Sequence, residues 1–388
     1  MPGITLQGIT WGHSRGITPL LAASQRYSEL YPGVEIQWKK RTLQEFADFP
    51  IENLTEQYDL LIIDHPWVGC AAATNCVLPL DEYISAEYLQ DQLNNSVGNS
   101  HESYNYKNKQ WALAIDAATP AASYRQDLLQ KNNIVLPQTW NDVIALAEMG
   151  KVAMPAIPID LLMNFYSFCI VSGEKPFCNN DEVIDEATGV HAIETMKELY
   201  SLIDKKMFDS NPIAVAEMMS ATDDYWYCPF AYCYSNYSRA GYAKNLLHYA
   251  DVVTVNGNKL QTTIGGTGLA VSAFSKNIAA AVDFTQWIVS ADMQRTMYVQ
   301  HGGQPGHRSA WTDGAVNTLT NDFFKTVLPV MDNGYMRPRY NGYLHFQDHA
   351  GLPLQKCIRE NGNPLIALHE MNKIYKQSLL HQNTIVTA

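Results

Sequence analysis

The sequence predicts an α/β protein built as two domains, and three observations carry that reading. The length of 388 residues exceeds what one hydrophobic core usually organises, and either half could bury its own. The first sixty-odd residues give strand, helix and strand signals in βαβ order. Tyr58-Asp59-Leu60-Leu61-Ile62-Ile63-Asp64 is a continuous apolar run, the pattern of a parallel strand covered on both faces.

The elements follow in order. Ile4 to Thr10 reads as a short buried strand, and Trp11-Gly12-His13-Ser14-Arg15-Gly16 is the loop after it. Thr18 fits an N-cap and Pro19 the first position of a helix over about 19–31, which Tyr31-Pro32-Gly33 stops. Val34, Ile36 and Trp38 alternate as a second strand, and a helical stretch near 42–57 is interrupted at Pro50. The strand at 58–64 ends in Asp64-His65-Pro66-Trp67, where proline forces the turn. Gln110 to Asp116 is another short strand, and residues 116–120 suit a first crossover between domains. Leu136 to Asp142 opens a helix, and residues 190–206 carry an ordinary core stripe.

Residues 225–237 are rich in tyrosine, and Pro229 argues against a long central strand there. Phe230, Tyr232, Tyr234 and Asn236 alternate onto one face, either as a buried strand or as the wall of a pocket. Ile264 to Ser272 is a glycine-rich turn feeding a strand, with the glycines in the wrong order for a dinucleotide fingerprint. They still permit backbone to approach a ligand. A helix over about 277–300 precedes Gly302-Gly303-Gln304-Pro305-Gly306, a second crossover candidate, and the tail is mostly helical.

Composition narrows the function. The chain is 46% hydrophobic and 17% charged, with no run that approaches the ~18 apolar residues of a membrane span. A net charge of −12 argues against nucleic acid or anionic membrane as a partner. Tyrosines outnumber phenylalanines, 22 to 12, which suits sites that are part apolar and part wet. The seven cysteines include no C-x-x-C pair, so reduced thiols are expected, the alternative being one disulfide such as Cys70–Cys76 or Cys228–Cys233. Met1-Pro2-Gly3 has neither a basic segment nor an apolar stretch of a signal peptide: either a signal was removed or the protein stays in the cytoplasm.

No Walker A loop, G-x-S-x-G or H-E-x-x-H occurs. His345 and His349 share a helical face, but spacing identifies no third ligand, so neither metal nor cofactor is expected. In an open α/β sheet, ligands bind outside the carboxyl ends of the strands. The loop 11–16 and the loop 64–69 would therefore share one edge. Asp64 and Asp116 at strand ends suit an acid and base of a glycosidase or lyase, acceptors for ligand hydroxyls, or caps of nearby N–H groups. Arg15, Arg337 and Arg339 are candidates for gripping an acid group, or surface ion pairs.

Taken in order, these pieces resemble the family 1 extracellular solute-binding proteins, the maltose-binding-like receptors of ABC importers. The resemblance runs nearly end to end. It rests on Thr10-Trp11-Gly12-His13-Ser14-Arg15-Gly16, Tyr31-Pro32-Gly33-Val34, the run 58–66, Leu78-Pro79-Leu80-Asp81 and the run 265–272. Gln294, Gly302-Gly303-Gln304-Pro305 and Arg337-Pro338-Arg339 complete it.

The resemblance implies a two-lobed periplasmic-binding-protein-like fold of type II, with the ligand cleft between the lobes. The first lobe would take 1–115 and 262–310, and the second 118–258 and 314–388. Crossovers would lie at 116–118, 259–261 and 311–313. It implies non-catalytic binding of a sugar or sugar-acid-like solute, delivery to a membrane permease, a monomer, and a periplasmic or extracellular location. Ligand contacts would come from Trp11, His13, Arg15, Asp64, His65 and Asp116. Tyr232, Tyr234, Asn236, Gly266, Thr267, Gly268 and Arg337 would add to them. The alternatives are a cytoplasmic sensor or carrier of the same fold, and a cleft enzyme using Asp64 and Asp116.

Overall fold

The structure, a computed structural model, describes residues 3–41 and 52–380. The part of the expected 42–57 helix before residue 52 lies outside them; Glu52–Thr55 is helical.

The first lobe is organised by a five-stranded sheet. Strand β1 (Ile4–Trp11) is followed by helix α1 (Ser14–Leu30), then β2 (Val34–Arg41) and β3 (Leu60–Ile63). β4 (Leu113–Ala118) completes the part of this sheet drawn from the first third of the chain. The second lobe starts with β5 (Pro120–Tyr124) and continues through α2 (Pro158–Val171), β6 (Tyr227–Tyr232) and β7 (His248–Ala250). β8 (Gly265–Val271) then returns to the first sheet. The sheet orders are β2-β1-β3-β8-β4 and β6-β5-β7.

β1 runs parallel to β2 and β3, whereas β8 lies antiparallel to both its neighbours. The sheet is therefore mixed. Burial explains the uninterrupted apolar run: Leu60, Leu61, Ile62 and Ile63 are all at most 2% exposed. Each such side chain contributes roughly 1.5–3 kcal/mol relative to exposure.

Several boundaries differ from the sequence reading. Helix α1 begins at Ser14, not after Thr18. His13 caps it, its Nδ1 accepting the Arg15 backbone N–H at 3.0 Å. Pro19 sits inside the helix, close enough to its start that only the bond to the Arg15 carbonyl is lost. The Gly265–Gly268 segment is part of β8 rather than a turn before it, with a register shift between Thr267 and Gly268. β6 stops at Tyr232, and Ser235–Ser238 forms a 3₁₀ turn, so Asn236 leaves the face it was expected to share with Tyr232. Pro229 is accommodated because β6 is an edge strand with a register shift opposite it. No disulfide joins any of the seven cysteines.

The lobes are joined tightly. One residue, Thr119, separates β4 from β5. Its hydroxyl lies 2.8 Å from that of Thr262 and donates to the Thr263 carbonyl at 3.1 Å, while the Thr262 hydroxyl donates to the Pro120 carbonyl at 2.9 Å. Gln304 stitches a third segment to this seam. Its Nε2 donates to the Ala117 carbonyl, and its Oε1 accepts the Ser235 N–H.

Candidate functional site

Between the two sheets lies a cleft of about 240 Å³. The strand-end rule accounts for one wall. β1 delivers Trp11 and the start of α1 delivers Arg15; Asp64 directly follows the end of β3. Gly266 and Thr267 of β8 lie beside them. Tyr232 and Tyr234 come from the other sheet, and Arg337 from the segment before the helix Tyr343–Arg359.

Two ion pairs frame the cleft, one buried and one with its carboxylate half-buried. Arg15 grips Asp116 with both a 2.9 Å Nε–Oδ2 bond and an Nη2–Oδ1 contact, and its Nη1 donates to the Cys233 carbonyl at 3.0 Å. Arg15 is 3% exposed and Asp116 2%. The guanidinium also stands 4.9 Å from the centroid of Tyr234. Burial raises the Asp116 pKa while Arg15 pulls the other way. Burial also works against the Arg15 charge, but Asp116 more than restores it. In the second pair, Arg337 Nη2 donates to both Asp64 oxygens at 2.7 Å and Nη1 donates to Gln347 at 2.7 Å. Burial opposes the Asp64 charge, yet Arg337 and then the His65 imidazole hold the carboxyl well below its ordinary range.

Five of the expected residues stand behind the cleft wall rather than on it: His13, His65, Asp116, Asn236 and Gly268. His13 stacks on Trp11 at 5.6 Å, meets Tyr234 edge-on at 4.7 Å, and reaches the Tyr242 hydroxyl with Nε2 at 3.2 Å. Burial, with Arg15 nearby, lowers its pKa to about 4, so the imidazole is neutral. His65 is likewise lowered to about 4, by burial and then Arg337. Asp116 is covered by Arg15. Asn236 donates to the Gly302 carbonyl at 3.2 Å. Gly268 faces Tyr104, whose ring a Cβ would meet at 2.6 Å. These residues position the wall.

Two further candidates serve elsewhere. Arg339 binds the carbonyls of Glu102, Ser103 and Asn105. His349 bonds the His345 carbonyl through Nδ1 at 2.8 Å. Among the described residues no group of three metal-ligating side chains gathers.

The far wall was missed by sequence reasoning. It is the start of α2, with Ile157, Ile159, Asp160 and Met163, next to Asn211 and Pro212 at the start of another helix. Pro158 at the first helical position and Asp160 in the first turn are a legible helix start. Nothing local in the sequence aims that start at a cleft.

Asp160 is 6% exposed, and its Oδ2 is sealed from solvent without a hydrogen-bond partner among the described residues. Burial pushes its pKa up to about 8. The folded state thus keeps a proton that the unfolded chain releases near its ordinary value of 3.8. Stability should fall as pH rises from about 4 towards 8, by up to roughly 5 kcal/mol. Asp160→Asn should flatten that slope and stabilise the unliganded protein above pH 7. Urea denaturation at pH 5 and pH 8.5 measures both; an unchanged slope in the variant refutes the assignment.

The family model described as bacterial extracellular solute-binding protein matches residues 14–295. Solved structures share the fold along nearly the whole chain. Maltose-bound MalE3 of T. maritima superposes with a TM-score of 0.85 at 16% identity, covering 97% of this chain and 100% of that one. A solute-binding protein of Agrobacterium radiobacter K84 in complex with ribitol gives 0.82 at 18% identity, covering 97% and 98%. One from Thermotoga lettingae TMO bound with α-D-tagatose gives 0.81 at 15% identity, covering 96% and 100%.

Proposed function

The chain belongs to the bacterial extracellular solute-binding proteins, and on that premise we propose that it binds a small sugar-like solute in the cleft and releases it unchanged. The observation that carries this reading is the meeting of Trp11 from the first lobe with Tyr232 and Tyr234 from the second around one cavity. Rings with polar handles suit the alternating apolar and hydroxylated faces of a sugar. The ligands held by the relatives, maltose, ribitol and α-D-tagatose, are of that class.

The ion pairs weigh against the cleft-enzyme alternative. Asp64 is locked to Arg337 and held ionised, so it has no proton to donate. Asp116 is locked to Arg15 behind the wall. Neither is placed as the acid of a glycosidase pair.

The lobes, taken as 1–115 with 262–310 and 118–258 with 314–388, would close about the crossovers. A ligand touching both walls favours the closed form by its extra contacts there. An ABC-importer permease reading that closure is the partner this implies, at the outer face of the membrane or in the periplasm.

Titration with sugars, polyols and sugar acids, followed by Trp fluorescence and melting temperature, tests the reading. A true ligand at one hundred times Kd should add about 2.7 kcal/mol of stability. Trp11→Ala should weaken that ligand at least about tenfold while the protein stays folded, roughly 1.4 kcal/mol. Chemical conversion of a bound compound would refute the proposal.

A further inference from the structure

The charges around the cleft balance only while Asp160 keeps its proton, and that condition describes the solute. Arg15 is neutralised by Asp116, and Arg337 by Asp64. Asp160 lines the same cavity with no ion pair and no hydrogen bond to its carboxylate among the described residues. Ile157, Ile159, Met163 and Pro212 line the same cavity, and the titratable groups that feel the Asp160 charge are Tyr200, Tyr232, Tyr234 and Cys228, none of them a cation. An isolated carboxylate in such a setting is costly, and the cost is removed by a cation with hydrogen-bond donors. A neutral hydroxyl supplies a donor but no charge.

We propose, building on the solute-binding reading above, that the solute carries a protonated amine, as an amino sugar or amino polyol does, and that Asp160 is its counter-ion.

Two other features agree with a cationic guest. The π faces of Trp11, Tyr232 and Tyr234 share the cavity, and aromatic faces attract ammonium groups. The chain's net charge of −12 favours the approach of cations over anions. The first-turn position of Asp160 in α2 also favours its ionised form once a partner is present. Burial, which otherwise keeps the proton on, is then answered by the ammonium.

The test uses the whole chain and matched probes: glucosamine, galactosamine and 1-amino-1-deoxyglucitol, each beside its neutral parent, plus N-acetylglucosamine and glucuronate. Calorimetry and melting temperature are read at pH 7. Support is an amine that binds at least tenfold more tightly than its neutral parent, with the preference lost in Asp160→Asn. The unliganded variant should melt no lower than the parent protein, which separates lost recognition from lost folding. Equal or tighter binding of a neutral sugar or of glucuronate overturns the inference and leaves the solute-binding reading standing. Failure of every compound to bind overturns both. The probe comparison on the unaltered chain decides the question even if the variant does not fold.

Discussion

Arg15→Ala is expected to cost about 3–5 kcal/mol of stability, because it leaves the Asp116 carboxylate, 2% exposed, without its cation. The loss goes beyond one contact. The same guanidinium holds the Cys233 carbonyl of the opposite lobe and lies over Tyr234, so both lose their partner. The urea midpoint should fall sharply with an unchanged m-value. The double replacement Arg15→Met with Asp116→Leu should recover most of the loss, since two apolar groups leave no unpaired charge. If Arg15→Ala costs under about 1 kcal/mol, the pair behaves as a solvated surface pair and the burial argument fails.

Gly266→Ala is the second large effect. Gly266 has φ +98°, and an added Cβ would stand 2.2 Å from the Asp116 carbonyl oxygen and 2.7 Å from the Ala117 Cα. Those are backbone atoms of the neighbouring strand, so no rotamer relieves the overlap. Adaptation would break the pairing of β8 with β4 at the point where Asp116 is held. A loss of at least about 3 kcal/mol is expected. Gly257 is the control: it also has a positive φ, +82°, but open space beyond it. Gly257→Ala should cost only about 1–2 kcal/mol from backbone strain. Equal effects at both positions would rule out the clash as the cause.

The near wall of the cleft was legible because it obeys a local rule. Trp11 and Asp64 sit where apolar strands end, and strand ends in an open sheet face the ligand edge. Tyr232 was legible from period-two alternation. The same alternation misplaced Asn236, because the strand ends at Tyr232 and a 3₁₀ turn begins at Ser235. The expected ligand contact His13 also caps the helix and stacks on Trp11, tasks the residue type does not announce. Asp160 was passed over for the opposite reason. A carboxylate in a first helical turn is ordinary, and only the packing of two distant elements deprives it of water. Sequence periodicity reports which face of an element is buried. It does not report what the buried face meets, and the far wall depends on that.

The lone threonine linking β4 to β5 has a mechanical corollary. With one peptide unit between the sheets, their pleats are geared together: adding or removing a residue at Thr119 would turn every side chain of β5 to its opposite face. Ala121 and Ala122, at most 1% exposed, sit on opposite faces of that ribbon and would have to trade places. Lengthening this joint to loosen the jaws would thus scramble the interior of the second lobe, so freedom of motion has to come from torsion within the existing bonds.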